Sequence, residues 1–333
     1  MAKELRDNYG RLASNLRVSV TDRCNLRCRY CVVSDQVEFL PHSKVLTFEE
    51  VSRLVRIASE YGVDRIRVTG GEPLVRKDVT KLIRHLANLP KIRKVNMTTN
   101  GLLLGKYFEE IRSSGLHSMN VSLDTLQREK YTSVTGKDGL GTVIDNILRV
   151  HGESDIKVKV NIVALRGFNE MEANDFVQFA IDHDLIIRFI EFMPFNGNNW
   201  LPNSFISSGE IKSIIGDQFT LVPEELTHPS QTSRVYRAKG HSTGRVGFIS
   251  SVSESFCQWC NRLRLTVDGN LRPCLHDSFE VPLKPLLEQG ASDDQLAEAM
   301  IMAVRQKQKE HVDFLVPDFQ LPTDDREMIR IGG

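Results

Sequence analysis

Over roughly the first 190 residues, short runs of β-forming residues alternate with stretches whose apolar positions recur at helical spacing. The β-type runs are LRVSVT (16–21), RIRVT (65–69), VNMTT (95–99), MNVSL (119–123), IKVKVNIV (156–163) and LIIRFIEF (185–192). Between the first two, Val51, Leu54, Val55 and Ala58 form one apolar stripe, opened by Thr47 and Glu50 as a capping box. Val79, Leu82, Ile83 and Leu86 mark a second helix, a third closes at Gly115, and another surrounds Phe176 and Phe179. This rhythm predicts parallel βα units. Six units fall short of the eight that close a barrel, so the expected fold is α/β, an incomplete (βα)6 TIM-type barrel. Its missing wall must come from the rest of the chain.

Beyond about residue 215 the pattern changes. GRVGFISSVSE reads as a strand, TVDGNLRPC carries an Asp-Gly turn that predicts a hairpin, and 293–309 is helical, with Leu296, Ala299, Met300 and Ala303 on one face. The expected organisation is a partial barrel over 1–215 and a smaller α+β segment over 216–333 that closes its open side. No repeat, low-complexity tract or Gly/Ser linker lies between them, so the two should pack as one body. PSQTS (229–233) reads as a surface loop.

With 333 residues and 41% hydrophobic content, the chain can bury a substantial core. Lys plus Arg and Asp plus Glu are both 43, which removes any whole-molecule field favouring nucleic acid or membrane. An anionic ligand needs a local patch. Arg17, Lys159 and Arg188 suggest one, because they interrupt otherwise apolar strands where an unpaired charge is costly. MAKELRDNYG has no apolar leader and no run approaches the roughly 18 apolar residues of a bilayer span, so a cytoplasmic location is expected.

That compartment disfavours disulfides, yet all six cysteines fall in two tight groups: Cys24, Cys28 and Cys31, then Cys257, Cys260 and Cys274. A closed zinc site needs four ligands, whereas a cubane iron-sulfur cluster held by three thiolates keeps one iron open. Zinc with a fourth ligand from His42, His241 or His276 stays open, as does one mixed six-cysteine site. The first triad follows strand one, Gly70-Gly71-Glu72-Pro73 follows strand two, Thr98 to Gly101 close strand three, and Ser122 ends strand four. In a βα barrel these carboxyl ends form the mouth. Paired glycines permit close backbone approach to a ligand, although GGEP alone reads as a tight turn.

The Cx3Cx2C spacing, with Tyr30 before its third cysteine and GGEP after the second strand, resembles the radical S-adenosylmethionine (SAM) superfamily. Cys257-xx-Cys260-x13-Cys274, with NRLRLT between, and the Gly332-Gly333 end resemble its GTP 3′,8-cyclase family in molybdenum cofactor biosynthesis. The likeness runs from Arg17 to the last residue. It departs after Cys31, where VVSDQ stands, and at Arg65, where lysine is more usual.

The resemblance implies two [4Fe-4S] clusters. Cys24, Cys28 and Cys31 would hold the one whose open iron chelates SAM, with Tyr30, Gly71, Ser122 and Met193 around SAM. Cys257, Cys260 and Cys274 would hold the other, facing the guanine of GTP. Arg17, Arg67, Thr98, Lys159, Arg188, Arg262 and Arg264 would bind the nucleotide, and Gly332 and Gly333 would thread into the mouth with a catalytic part. The implied reaction is removal of H3′ by a 5′-deoxyadenosyl radical and closure of C3′ on guanine C8, giving 3′,8-cyclo-7,8-dihydroguanosine triphosphate. Its consumer would be cyclic pyranopterin monophosphate synthase; the electron donor and a homodimeric state are left open. Two rivals remain: a peptide-modifying radical SAM enzyme, whose auxiliary domain needs more cysteines than the three left, and a zinc-stabilised binding protein.

Overall fold

The strands alternate because they separate two environments. Leu16 and Val18, Ile66 and Val68, Val95 and Met97, Val158 and Val160 are buried toward the helices, while the residues between them are polar and face inward. The computed structural model describes residues 4–31, 38–195, 198, 200–316, 319 and 326–332. Its first six strands are β1 (Asn15–Ser19), β2 (Arg65–Thr69), β3 (Lys94–Thr99), β4 (Ser118–Ser122), β5 (Lys157–Ala164) and β6 (Ile186–Glu191), each parallel to the next. They match the six expected runs to within about two residues, the usual uncertainty of element ends.

The crossovers are α1 (Phe48–Glu60), α2 (Val79–Ala87), α3 (Phe108–Arg112), the pair α4 (Arg128–Thr135) and α5 (Leu140–Glu153), and α6 (Ala173–His183). The capping box on α1 forms: Glu50 N donates to Thr47 Oγ1 at 3.1 Å, and Thr47 N donates to Glu50 Oε2 at 2.7 Å. The helix expected to close at Gly115 is short, ending at Arg112, with Gly115 in the left-handed region (φ 78°) three residues on.

The sheet continues through the boundary expected near residue 215. After α7 (Ser208–Gly216) come β7 (Leu221–Pro223), β8 (Arg234–Ala238) and β9 (Arg245–Ile249), then β10 (Arg262–Leu265), β11 (Asn270–Arg272) and β12 (Val281–Pro282). Strand β9 pairs parallel with β6, and β10 pairs parallel with β1, so eight parallel strands share one twelve-stranded sheet, ordered β12-β11-β10-β1-β2-β3-β4-β5-β6-β9-β8-β7. The Asp-Gly hairpin is β10–β11, with Arg264 opposite Arg272. Because β9 and β10 both run in the barrel direction, the chain from 250 to 261 must travel back from the carboxyl end of one to the amino end of the other. That returning loop crosses the gap in the wall, and it carries Cys257 and Cys260.

Short α8 (Lys284–Glu288), α9 (Asp293–Arg305) and α10 (Met328–Ile331) complete the chain. Helix α9 stops short of 309 because Lys307 turns inward, where its Nζ donates to Arg262 O at 2.6 Å. No helix among the described residues is long and apolar enough to cross a membrane.

Candidate active site

Closed βα barrels fill their interior with side chains; this incomplete barrel instead holds a cavity of about 830 Å³ lined by many polar and charged residues. Every site residue expected from sequence lines it except Gly332, which touches its wall, and Gly333, which lies outside the described residues.

The first triad is held at the carboxyl end of β1 by the glycine pair. Gly71 N donates to Thr21 O at 2.7 Å, and a Cβ on Gly71 would lie 2.4 Å from Arg23 O. Gly70 has φ 144°, and a Cβ there would meet Thr21 O at 2.4 Å. Side chains are thus excluded by the backbone of the cysteine loop, a use of the pair that sequence reading did not foresee. Glu72 joins the same junction. Its buried carboxylate accepts from Leu74 N at 3.1 Å, Thr99 Oγ1 at 2.8 Å and Asn100 N at 2.7 Å, while burial pushes its pKa up to about 7 despite these donors.

Burial also raises all three thiols of this triad, Cys31 to about 12. Cys24 and Cys31 face each other closely enough that ionising one disfavours ionising the other. Beside them the Tyr30 hydroxyl donates to Asp124, whose other oxygen accepts from Val163 N at 2.8 Å. Burial raises Asp124 to about 6. Phe192 meets the Tyr30 ring edge-on at 6.4 Å, and Met193 follows it, making one apolar wall next to Ser122. Asp124 escaped sequence reading because an isolated carboxylate at a strand end carries no spacing signal, and Glu72 was read only as a member of the GGEP motif, without the junction it makes here.

The second triad has the opposite electrostatics. Burial opposes ionisation of Cys260, but Arg262 and Lys307 outweigh it and bring the thiol down to about 5. Cys257 is lowered in the same way, burial being overcome by a hydrogen bond with His311, whereas Cys274 is raised by burial. Two buried anchors hold the loop. Glu191, at the end of β6, accepts from Val252 N and Ser253 N, each at 2.8 Å, and Arg11 donates to Cys257 O at 2.6 Å. The cysteines are all free thiols. His276 lies on the cavity wall with this triad, whereas neither His241 nor His42, the histidine considered for the first triad, lines the cavity that all six cysteines face; both are exposed. Among the described residues no three His, Cys, Asp or Glu are grouped for a single metal ion.

Between the triads the inward positions of five strands carry Arg17, Arg67, Lys159, Arg188 and Arg264. Burial lowers Arg17 and Arg67 to about 9, Lys159 to about 8 and Arg188 to about 10; mutual repulsion adds to the effect on Arg17, Arg67 and Lys159. Arg188 Nη2 donates to Asn161 Oδ1 at 2.5 Å, but its buried Nε has no partner. Such a ring of cations is stable only against an anion. Arg262 lies over the Phe256 ring at 4.6 Å, and Thr98 adds a hydroxyl from β3. Arg264 donates to Gly332 O, so the tail packs against this ring. Gly332 has φ 85°, and a Cβ on it would sit 2.3 Å from Thr69 Oγ1.

Fold and site define an enzyme of the radical SAM type. Residues 18–180 match the Radical SAM superfamily and 185–313 match Molybdenum Cofactor Synthesis C. The chain is 42% identical over 306 residues to a GTP 3′,8-cyclase of Syntrophomonas wolfei, covering 92% of this chain and 94% of that one. It is 40% identical over 327 residues to the mitochondrial GTP 3′,8-cyclase of Arabidopsis thaliana, covering 98% and 83%. Against molybdenum cofactor biosynthesis protein 1 of Dictyostelium discoideum it is 43% identical over 313 residues, 92% of this chain; it spans about half of that longer relative, 49%. The crystal structure of Streptococcus suis SuiB bound to S-adenosylmethionine shares the fold, with TM-score 0.62 and 16% identity over 87% of this chain and 68% of that one. The chain belongs to the GTP 3′,8-cyclase family.

Proposed function

We propose that this chain converts GTP to 3′,8-cyclo-7,8-dihydroguanosine 5′-triphosphate in molybdenum cofactor biosynthesis. The observation that carries the reading is the ring of Arg17, Arg67, Lys159, Arg188 and Arg264 in a lumen with a cysteine triad at each side. A triphosphate brings about four negative charges, which matches these cations, none of which pairs with a carboxylate among the described residues, and arginine forks suit phosphate oxygens.

The donor set fits two [4Fe-4S] clusters: three thiols of each triad open on one cavity, and cations beside Cys260 favour the thiolate form that a cluster needs. Cys24, Cys28 and Cys31 would hold the first cluster, which together with SAM would supply the radical chemistry that hydrogen removal from the ribose needs. The chain's own part is placement. Tyr30, Phe192 and Met193 offer an apolar wall for adenine, while the backbone at Gly71 and the hydroxyl of Ser122 offer polar contacts. Cys257, Cys260 and Cys274 lie where guanine would be anchored, and the cation ring with Thr98 fixes the phosphates, so C3′ is held close to C8 and away from water. Arg264 holds Gly332 at the edge of this space, which supports a catalytic part for Gly332 and Gly333.

Free thiols and the clusters' need for reduction favour a reducing compartment such as the cytoplasm. Cyclic pyranopterin monophosphate synthase is the consumer of the proposed product. Anaerobic incubation of reconstituted protein with SAM, GTP and a reductant, followed by mass analysis of the nucleotide, tests the reading. A cyclised GTP isomer is expected; zinc without sulfide and an unchanged nucleotide would select a binding protein instead.

A further inference from the structure

The polar lumen does not end at the cation ring. Two residues before Asn96 and Lys159, about 6 to 7 Å nearer the amino ends of the strands, the inward positions are basic again: Lys94 on β3 and Lys157 on β5. His117 sits between them, its N donating to Val95 O at 2.8 Å and its carbonyl accepting from Lys157 N at 3.3 Å. All three line the same cavity as Lys159. Lys157 is exposed and the other two are half-buried, so the lumen meets water at this end too.

Three features separate this mouth from ordinary surface charge. Among the described residues, neither lysine forms an ion pair. Of the acids nearby, Asp64 faces Arg65 and Arg93, each at 3.6 Å, and Glu224 faces Arg237 at 2.9 Å and Arg245 at 3.2 Å; Glu225 on the cavity lining and Asp155, two residues before Lys157, are exposed to water. Like charges also converge, since burial and then Lys94, Lys157 and Lys159 all disfavour protonation of His117. Finally, the carboxyl-end mouth is lined by the first cysteine loop, Phe192, Met193, Phe195 and the tail at Met328 and Ile329, while at the amino end the second cysteine loop lies over β1, where Asn261 O accepts from Asn15 N at 3.0 Å, away from β3 to β5 in the strand order. The amino ends of barrel strands ordinarily serve stability, and gathered unpaired cations work against it.

We propose that this amino-end mouth is a polyphosphate-binding inlet. Lys94, His117 and Lys157 capture the phosphate end of the nucleotide and pass it inward to Lys159, Arg67 and Arg188. The inference rests on the nucleotide reading above and deepens it, because it assigns the route and a first station that the ring does not supply.

The test uses cluster-loaded protein under anaerobic conditions. Stopped-flow GTP association is measured against ionic strength for the native chain, the Lys94→Ala/Lys157→Ala double variant and the Lys94→Arg/Lys157→Arg double variant. The alanine variant should associate about tenfold more slowly at low salt, with a shallower salt dependence and a loss in kcat/KM that exceeds any loss in kcat; the arginine variant should recover. Separately, inorganic triphosphate should shield Lys94 and Lys157 from amine acylation, read by mass spectrometry. Equal association in all three proteins, with no shielding, overturns the inlet. Shielding without any cyclised nucleotide would sink the GTP reading and keep the inlet, whereas cyclisation with neither effect would do the reverse.

Discussion

Arg11 Nη1 donates to the carbonyl oxygen of Cys257 at 2.6 Å, joining residues 246 positions apart in sequence. The same guanidinium donates to Lys309 O at 2.8 Å, Gln308 O at 2.6 Å and Asp7 Oδ2 at 2.6 Å. One side chain thereby ties the amino-terminal segment to the loop that closes the barrel wall. Arg11→Ala would leave the buried Asp7 carboxylate only the backbone donors Tyr9 N and Arg11 N, each at 2.9 Å, a loss of up to about 3 kcal/mol, and would free the second triad. Thermal unfolding and iron analysis should show a lower Tm and a fall from about eight irons per chain toward about four. Full iron at an unchanged Tm would show that the loop is held by other means.

Gly332 offers a test of the tail. Alanine there must adopt a strained φ near 85° and place its Cβ against Thr69, so the Arg264 contact should be lost. Gly332→Ala, and deletion of Gly332 and Gly333, should cut cyclised product severely while circular dichroism and iron content stay at native levels. Normal product from the truncated chain would remove the tail from the active site.

Division of labour between the triads can be read from uncoupled SAM cleavage. Cys28→Ser should abolish formation of 5′-deoxyadenosine altogether. Cys274→Ser should retain some of it yet form no cyclised GTP, because only substrate anchoring is lost. The proposed division fails if both variants lose both products equally.

Glu72 predicts a pH dependence. Its folded pKa is raised from 4.5 to about 7, so the unfolded chain ionises first as pH rises, and stability falls between those values. The shift corresponds to a contribution on the order of 3 kcal/mol. Glu72→Gln removes that titration. In urea unfolding at pH 5 and pH 8, its stability relative to the native chain should therefore improve at the higher pH. A difference that does not change with pH would mean that Glu72 is already ionised in the fold.

The six strands, most of their helices, the β10–β11 hairpin and both triads were legible in sequence because each depends on local order. Side-chain alternation, capping at Thr47 and thiol spacing within one loop all act over a few residues. Arg17, Lys159 and Arg188 were legible for a related reason, since a charge inside an apolar strand has few stable explanations. Only the tertiary structure decided what depends on distant parts meeting. Strands β9 and β10 join opposite edges of the first six through pairing registers that no local pattern encodes, and this forces the second cysteine loop across the gap. Arg11 meets Cys257, Asp124 meets Tyr30, and Gly71 presses on Arg23 through contacts whose partners are far apart in the chain. The amino-end lysines look like surface charges until the sheet curves and turns their alternating positions into one lumen.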